Sequence, residues 1–200
     1  VGLVPSEKVI SRVGAQPGDL VFVSGPIGLG GALAAALLLK IDSFTESDYR
    51  PQPRLREGQI IRRHANCCMD TSDGLISTID QLSRLNSVRF QLETTFDDLL
   101  HPAAQRLRSQ ADLLSFVFAA SYHGEFELVF TLPPGAEREF MAEANSVNWQ
   151  PLKLGRVDPG EGIATFAGEI DGAWVRNLLH ESGGDLMEYA RRLIAGCPRE

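Results

Sequence analysis

The stretch Ala32–Lys40 sets alanines and leucines around most of a helical circumference, so a fold that holds it must cover this helix on several sides. Its apolar run, Ala32–Leu39, falls far short of the roughly 20 residues that cross a bilayer, and the helix is therefore expected to be largely buried in a protein core. A chain of 200 residues with 44% hydrophobic and 22% charged residues has the material for one such core. Immediately before the helix, Leu20–Ser24 is a short β-rich run between a Gly18-Asp19 turn and Gly25-Pro26, which reads as a buried strand. Strand, glycine-rich turn and helix thus follow one another closely.

The rest of the chain keeps alternating. Ile41–Pro53 is polar and proline-containing and reads as a long loop, and Arg54–Ala65 as a helix whose Arg54, Arg56, Glu57, Arg62 and Arg63 reach water. Cys67-Cys68-Met69 runs into Asp70-Thr71-Ser72-Asp73-Gly74, after which Leu75–Leu85 has the 3/4 apolar spacing of an amphipathic helix. In Ser87–Glu93, Val88, Phe90 and Leu92 alternate with polar residues, as in a half-buried strand. Helices are expected at His101–Ala111 and Ala136–Ala144, and a β-rich run at Phe126–Leu132 before Pro133-Pro134; Phe116–Ala120 suits either state. Leu152–Val157, Gly162–Phe166 and Ala173–Val175 read as short strands separated by Asp-Pro-Gly and Asp-Gly turns, with at least one hairpin among them, and Asp185 as the cap of a last helix to about Ile194. The expected class is α+β, a mixed sheet covered by helices, rather than a wholly parallel doubly wound fold.

Nineteen Lys and Arg against 26 Asp and Glu give a net charge of −7, which disfavours nonspecific attraction to nucleic acid or an anionic membrane. Three cysteines, two of them adjacent at Cys67 and Cys68, suit neither a paired disulfide framework nor a CxxC site, and reduced thiols are expected. With no secretory pattern at its start, the protein is expected to be cytoplasmic. The chain opens on Val1 without an initiating Met, and it is expected to be processed or cut from something longer.

Three segments have chemistry to offer. In Asp70-Thr71-Ser72-Asp73-Gly74, two carboxylates three residues apart, hydroxyls and a glycine before a helix suit a hard cation and the phosphate oxygens it carries; equally, Ser72 or Asp73 can cap the next helix while Asp70 shapes the turn. Gly25-Pro26-Ile27-Gly28-Leu29-Gly30-Gly31 offers backbone to an anion or simply packs strand against helix, and it has neither P-loop nor dinucleotide spacing. His123–Glu127 precedes the strand Leu128–Thr131; if Glu125 and Glu127 were both in the strand they would share one side, either as paired carboxylates or as the polar face of an edge. His64, His101 and His180 have no metal spacing with the cysteines.

Taken in order, Arg12-Val13-Gly14-Ala15-Gln16-Pro17-Gly18-Asp19, Val23-Ser24-Gly25-Pro26-Ile27-Gly28, Arg50-Pro51-Gln52-Pro53-Arg54, Met69–Leu75 and Gly124–Thr131 resemble the thiamine-monophosphate kinase family, from about Gly2 to Val157. The family belongs to a superfamily with aminoimidazole ribonucleotide synthetase, selenophosphate synthetase and the hydrogenase-maturation dehydratase. The resemblance implies that residues 1–200 form a single C-terminal-type domain. It also implies that an N-terminal ATP-binding domain, which carries most of the acidic Mg²⁺ cluster and pairs two protomers into a homodimer, is absent from this chain. It further implies Asp70 and Asp73 as Mg²⁺ ligands, Ser72 as a contact to ATP, and transfer of the ATP γ-phosphoryl group to thiamine monophosphate. The family's Gly-Gly-Glu-Asp-Tyr-Glu-Leu substrate segment reads here Tyr122-His123-Gly124-Glu125-Phe126-Glu127-Leu128, with Glu125 the candidate substrate contact, either in place of the family's Asp or matching its Glu after a one-residue shift. The family's closing Gly-Tyr-Asp-His-Phe is replaced by Gly183-Gly184-Asp185-Leu186-Met187. The competing expectations are another ATP-using member of the superfamily and a non-catalytic nucleotide-binding or regulatory domain.

Overall fold

A computed structural model describes residues 9–197; Val1 and Gly2, where the resemblance begins, lie outside the described residues. Among the described residues seven strands form one sheet in the order β2-β4-β1-β5-β3-β6-β7. They are β1 (Leu20–Val23), β2 (Cys67–Asp70), β3 (Val88–Leu92), β4 (Leu128–Leu132), β5 (Leu152–Pro159), β6 (Gly162–Thr165) and β7 (Gly168–Ile170). Only β3 and β6 run parallel; every other neighbouring pair is antiparallel, which makes the sheet mixed, as expected.

The helices are α1 (Leu29–Leu39), α2 (Leu55–His64), α3 (Leu75–Asn86), α4 (Phe96–Leu99), α5 (Pro102–Ala111), α6 (Ser115–Ala120), α7 (Glu137–Ser146), α8 (Gly172–Glu181) and α9 (Leu186–Ala195). Six of them cover one sheet face: α1, α3, α5, α6, α8 and α9 bury Ile76, Ile79, Leu82, Phe116 and Leu178 against Val23, Val129 and Phe90. On the other face, α2 and α7 enclose an aromatic cluster in which Phe140 lies 5.4 Å from Phe130 and 5.5 Å from Trp149, ring centre to ring centre. Such edge-on pairs add about 0.5–1.5 kcal/mol each to the area they bury. Among the described residues no helix is long and apolar enough to cross a membrane.

The strand alternation in β3 is reproduced, with Val88, Phe90 and Leu92 buried. Three expectations are corrected. Ala173–Val175 is not a strand but lies inside α8, because the Asp171 carboxylate accepts a hydrogen bond from the Trp174 amide at 2.9 Å and starts a helix where the Asp-Gly turn had suggested a hairpin. The late hairpin is instead β6 with β7, and β3 separates β5 from β6. Finally, α1 is only partly covered. It packs closely on α5 and α6 through its small residues, leaving Leu37 and Leu39 exposed on the far side.

Candidate functional site

The strand directions place three connections at one end of the sheet. Strands β1 and β2 finish there and β4, antiparallel to both, begins there, so residues 24–31, 70–75 and 121–127 meet. Backbone joins them directly. The Ser24 amide donates to the Leu128 carbonyl at 2.9 Å, Thr71 to that of Glu127 at 2.8 Å, and Gly124 to that of Ser72 at 3.2 Å. The approach is so close that a methyl group on Gly30 would overlap the His123 carbonyl, one on Gly124 that of Thr71, and one on Gly74 that of Ser121. Gly74 also has φ +85°, outside the range that L residues adopt readily.

At the 70–75 connection the helix α3 is capped by Gly74 with no side-chain hydrogen bond. Neither Ser72 nor Asp73 is the cap, so the purely local alternative for these residues falls. Thr78 does the local work, its hydroxyl donating to the carbonyls of Asp70 (3.0 Å) and Gly74 (2.9 Å). The side chains of Asp70, Ser72 and Asp73 are half-buried, and no hydrogen bond or ion pair among the described residues engages them. Two uncommitted carboxylates fit Mg²⁺ as a partial ligand set, since that ion is held by one or two carboxylates and completes its shell with water and phosphate oxygens. Among the described residues no three His, Cys, Asp or Glu side chains gather closely enough to hold a metal by themselves.

Glu125 and Glu127 precede β4, as expected, but β4 is an interior strand and both residues are buried, so the edge-face reading is corrected. Glu125 accepts from the Gly28 amide at 2.8 Å and from the Thr71 hydroxyl at 3.2 Å, bridging the other two connections. Burial pushes its pKa up to about 7, against the lowering effect of those hydrogen bonds. Glu127 takes a two-pronged contact from Arg54, Nε to Oε2 at 2.8 Å and Nη2 to Oε1 at 2.5 Å, and also accepts from the Ser24 hydroxyl. Arg54 is thus no solvated charge on a helix face. Desolvation would lower its pKa, but Glu127 and Glu57 outweigh this and raise it.

Between the two buried glutamates, Phe126 takes the left-handed conformation at φ +64° and stands 52% exposed. Strain of this kind in a non-glycine residue costs on the order of 1–3 kcal/mol and collects at functional sites. Its ring borders a hollow of about 460 Å³ that also meets Ser72, Tyr49, Tyr122, Leu37 and Leu186. The segment replacing the family's closing motif therefore reaches the site, although Asp185 itself caps α9 through the Met187 and Glu188 amides. The polar 41–53 loop contributes Tyr49, whose hydroxyl donates to the Gly124 carbonyl at 2.8 Å. Neither Tyr49 nor the Arg54–Glu127 pair was evident from local pattern; the only signal was the Arg50–Arg54 string within the resemblance. Three of the four histidines serve elsewhere: His64 pairs with Glu143 at 2.8 Å, His101 caps α5, and His180 is exposed, while His123 borders the hollow. Cys67 and Cys68 are free thiols, the first buried and the second half-buried.

No protein-family model matches the chain. It is similar to the thiamine-monophosphate kinase of Nitrosopumilus maritimus, with 28% identity over 169 residues, 79% of this chain and 51% of that protein. With that of Haemophilus influenzae it shares 30% over 192 residues, 92% of this chain and 57% of the relative. The fold matches the crystal structure of thiamine-monophosphate kinase from Stenotrophomonas maltophilia K279a with a TM-score of 0.69 at 25% identity, covering 83% of this chain and 55% of that one. A structure of AaThiL complexed with AMPPCP and TMP matches with a TM-score of 0.66 at 25% identity, covering 81% and 52%. The hydrogenase maturation protein HypE of E. coli shares the fold, at 17% identity with a TM-score of 0.66, over 82% of this chain and 51% of that one. The chain spans about half the length of the relatives it matches. In sequence and in fold alike, the chain is similar to thiamine-monophosphate kinases over about half of their length.

Proposed function

We propose that this chain is the C-terminal domain of an ATP-dependent kinase that transfers the γ-phosphoryl group of ATP to thiamine monophosphate, giving thiamine diphosphate. The observation that carries this reading is the Asp70–Gly74 turn, whose Asp70, Ser72 and Asp73 side chains have no structural duty among the described residues. Asp70 and Asp73 would hold Mg²⁺, and the Ser72 hydroxyl would contact ATP. When bound, Mg²⁺ supplies neutralisation of charge on the phosphate oxygens, and phosphoryl transfer needs little beyond that and in-line positioning. No covalent nucleophile is required of this chain. Glu125 would serve the acceptor side as the buried anchor of the 124–127 segment, which presents Phe126 to the hollow. The structure of a relative complexed with AMPPCP and TMP supports the choice of substrates.

Half of the relatives' length lies beyond this chain, and we assign to it the N-terminal ATP-binding domain with the remaining Mg²⁺ ligands, in a cytoplasmic homodimer. The test is formation of thiamine diphosphate from thiamine monophosphate and Mg-ATP, run side by side on the 200-residue chain and on the full-length protein of its parent gene. Activity confined to the longer protein supports the reading; no activity in either refutes it. A second reading, a related ATP-using enzyme with another acceptor, is favoured by Phe126 and by Leu186-Met187 standing where the family has other residues. It predicts ATP turnover with a different phosphoryl acceptor.

A further inference from the structure

Residues 49–54 grip the 124–127 segment at two points from outside the sheet. At one end the Tyr49 hydroxyl holds the Gly124 carbonyl at 2.8 Å; at the other, the Arg54 guanidinium holds both oxygens of Glu127 and reaches Glu57 at 3.3 Å. Glu127 is 4% exposed, and Gly25 leaves the room that the ion pair fills, since a methyl there would overlap Arg54 and press on Glu127. What the segment holds in turn is the aspartate turn. The Glu127 carbonyl accepts from the Thr71 amide, the Gly124 amide donates to the Ser72 carbonyl, and the Glu125 carboxyl accepts from the Thr71 hydroxyl. Each of these partners lies within one or two residues of Asp73.

We propose that Arg54, acting through Glu127, and Tyr49, acting through Gly124, are positioning residues for the Thr71-Ser72-Asp73 turn. They keep it in the one arrangement that can receive a Mg-nucleotide. The naming of that ligand rests on the function proposed above, whereas the mechanical link rests on geometry alone. A two-pronged Arg–carboxylate contact fixes orientation as well as distance, which a lysine ammonium, a single point charge, does not.

Amide hydrogen exchange on the 200-residue chain tests the link without reference to activity. In Arg54→Gln the Thr71 and Gly124 amides are expected to exchange at least about ten-fold faster, in Arg54→Lys by an intermediate factor, and amides of β3 at the wild-type rate. Wild-type exchange at Thr71 and Gly124 in Arg54→Gln overturns the proposal. Should Arg54→Gln fail to fold, Tyr49→Phe, which removes one hydroxyl, must still speed exchange at Gly124, and an unchanged rate there overturns it as well. In the full-length kinase, well below its melting temperature, Arg54→Lys is expected to raise the KM for Mg-ATP about five-fold or more. A fall in kcat that merely follows the folded fraction, with KM unchanged, would mark Arg54 as structural only. If the wild-type full-length protein makes no thiamine diphosphate, the kinase reading fails while the exchange rates still decide the role of Arg54.

Discussion

Glu125 Oε2 lies 2.8 Å from the Gly28 amide nitrogen, a contact that spans 97 positions of sequence and fastens the 121–127 connection to the start of α1. The carboxyl is 3% exposed, and burial lifts its pKa from the ordinary 4.5 to about 7. Folding therefore raises its proton affinity. The stability this contributes is complete below about pH 4.5, declines as pH rises and is gone above about pH 7, worth about 3 kcal/mol in all by linkage. Urea melts of the wild type and Glu125→Gln at pH 5 and pH 8 should show the wild type losing roughly 2–3 kcal/mol relative to the variant over that interval. Parallel pH profiles would show that Glu125 titrates as an ordinary carboxylate.

Gly74 and Gly135 should respond in opposite ways to the same substitution. At Gly74 a methyl group meets the Ser121 carbonyl and φ is +85°, whereas at Gly135 nothing lies within 4 Å. Gly74→Ala is expected to destabilise by about 3 kcal/mol or more, and Gly135→Ala to be neutral or to stabilise by up to about 1 kcal/mol by restricting the unfolded chain. Differential scanning calorimetry of the two variants checks both, and equal melting temperatures would contradict the backbone-contact argument.

Ser24 holds three partners at once: its hydroxyl donates to Glu127 and accepts from the Leu128 amide at 2.7 Å, while its carbonyl accepts from Trp149 Nε1 at 2.6 Å. Ser24→Ala leaves a partly buried amide and a buried carboxylate each short of a partner, at a cost of about 1–3 kcal/mol. Ser24→Thr keeps the hydroxyl and should retain more than half of that. Chemical denaturation of the pair measures the difference; equal losses would assign the effect to packing.

Elements whose cause is local were legible in the sequence. The alternation of β3, the apolar spacing of α3 and the Asp185 cap depend on neighbours a few residues away, and the structure reproduces all three. Ala173–Val175 misled because a β-branched and an aromatic residue after a turn suit a strand, while the Asp171 cap favours a helix and prevails. The site was legible as motifs but not as an assembly. Arg54 and Glu127 lie 73 positions apart, and nothing near either residue announces the other. The strain at Phe126 likewise arises from having Glu125 and Glu127 anchored on both sides, a tertiary demand absent from local pattern.

Asp73 separates function from stability. Its side chain has no partner among the described residues, so Asp73→Asn should leave the melting of the 200-residue chain within about 0.5 kcal/mol of wild type. A larger loss on thermal melting would mean that the carboxylate supports the fold.

Whether the Asp70–Gly74 turn binds a Mg-nucleotide is therefore best tested by turnover of thiamine monophosphate and Mg-ATP by the full-length protein, wild type against Asp73→Asn. Thiamine diphosphate is expected from the wild type, with a loss of about 100-fold or more in kcat/KM in the variant, on the scale expected when a group that holds charge-neutralising machinery is removed. Wild-type kinetics in Asp73→Asn would contradict the assignment of the turn to Mg-nucleotide binding.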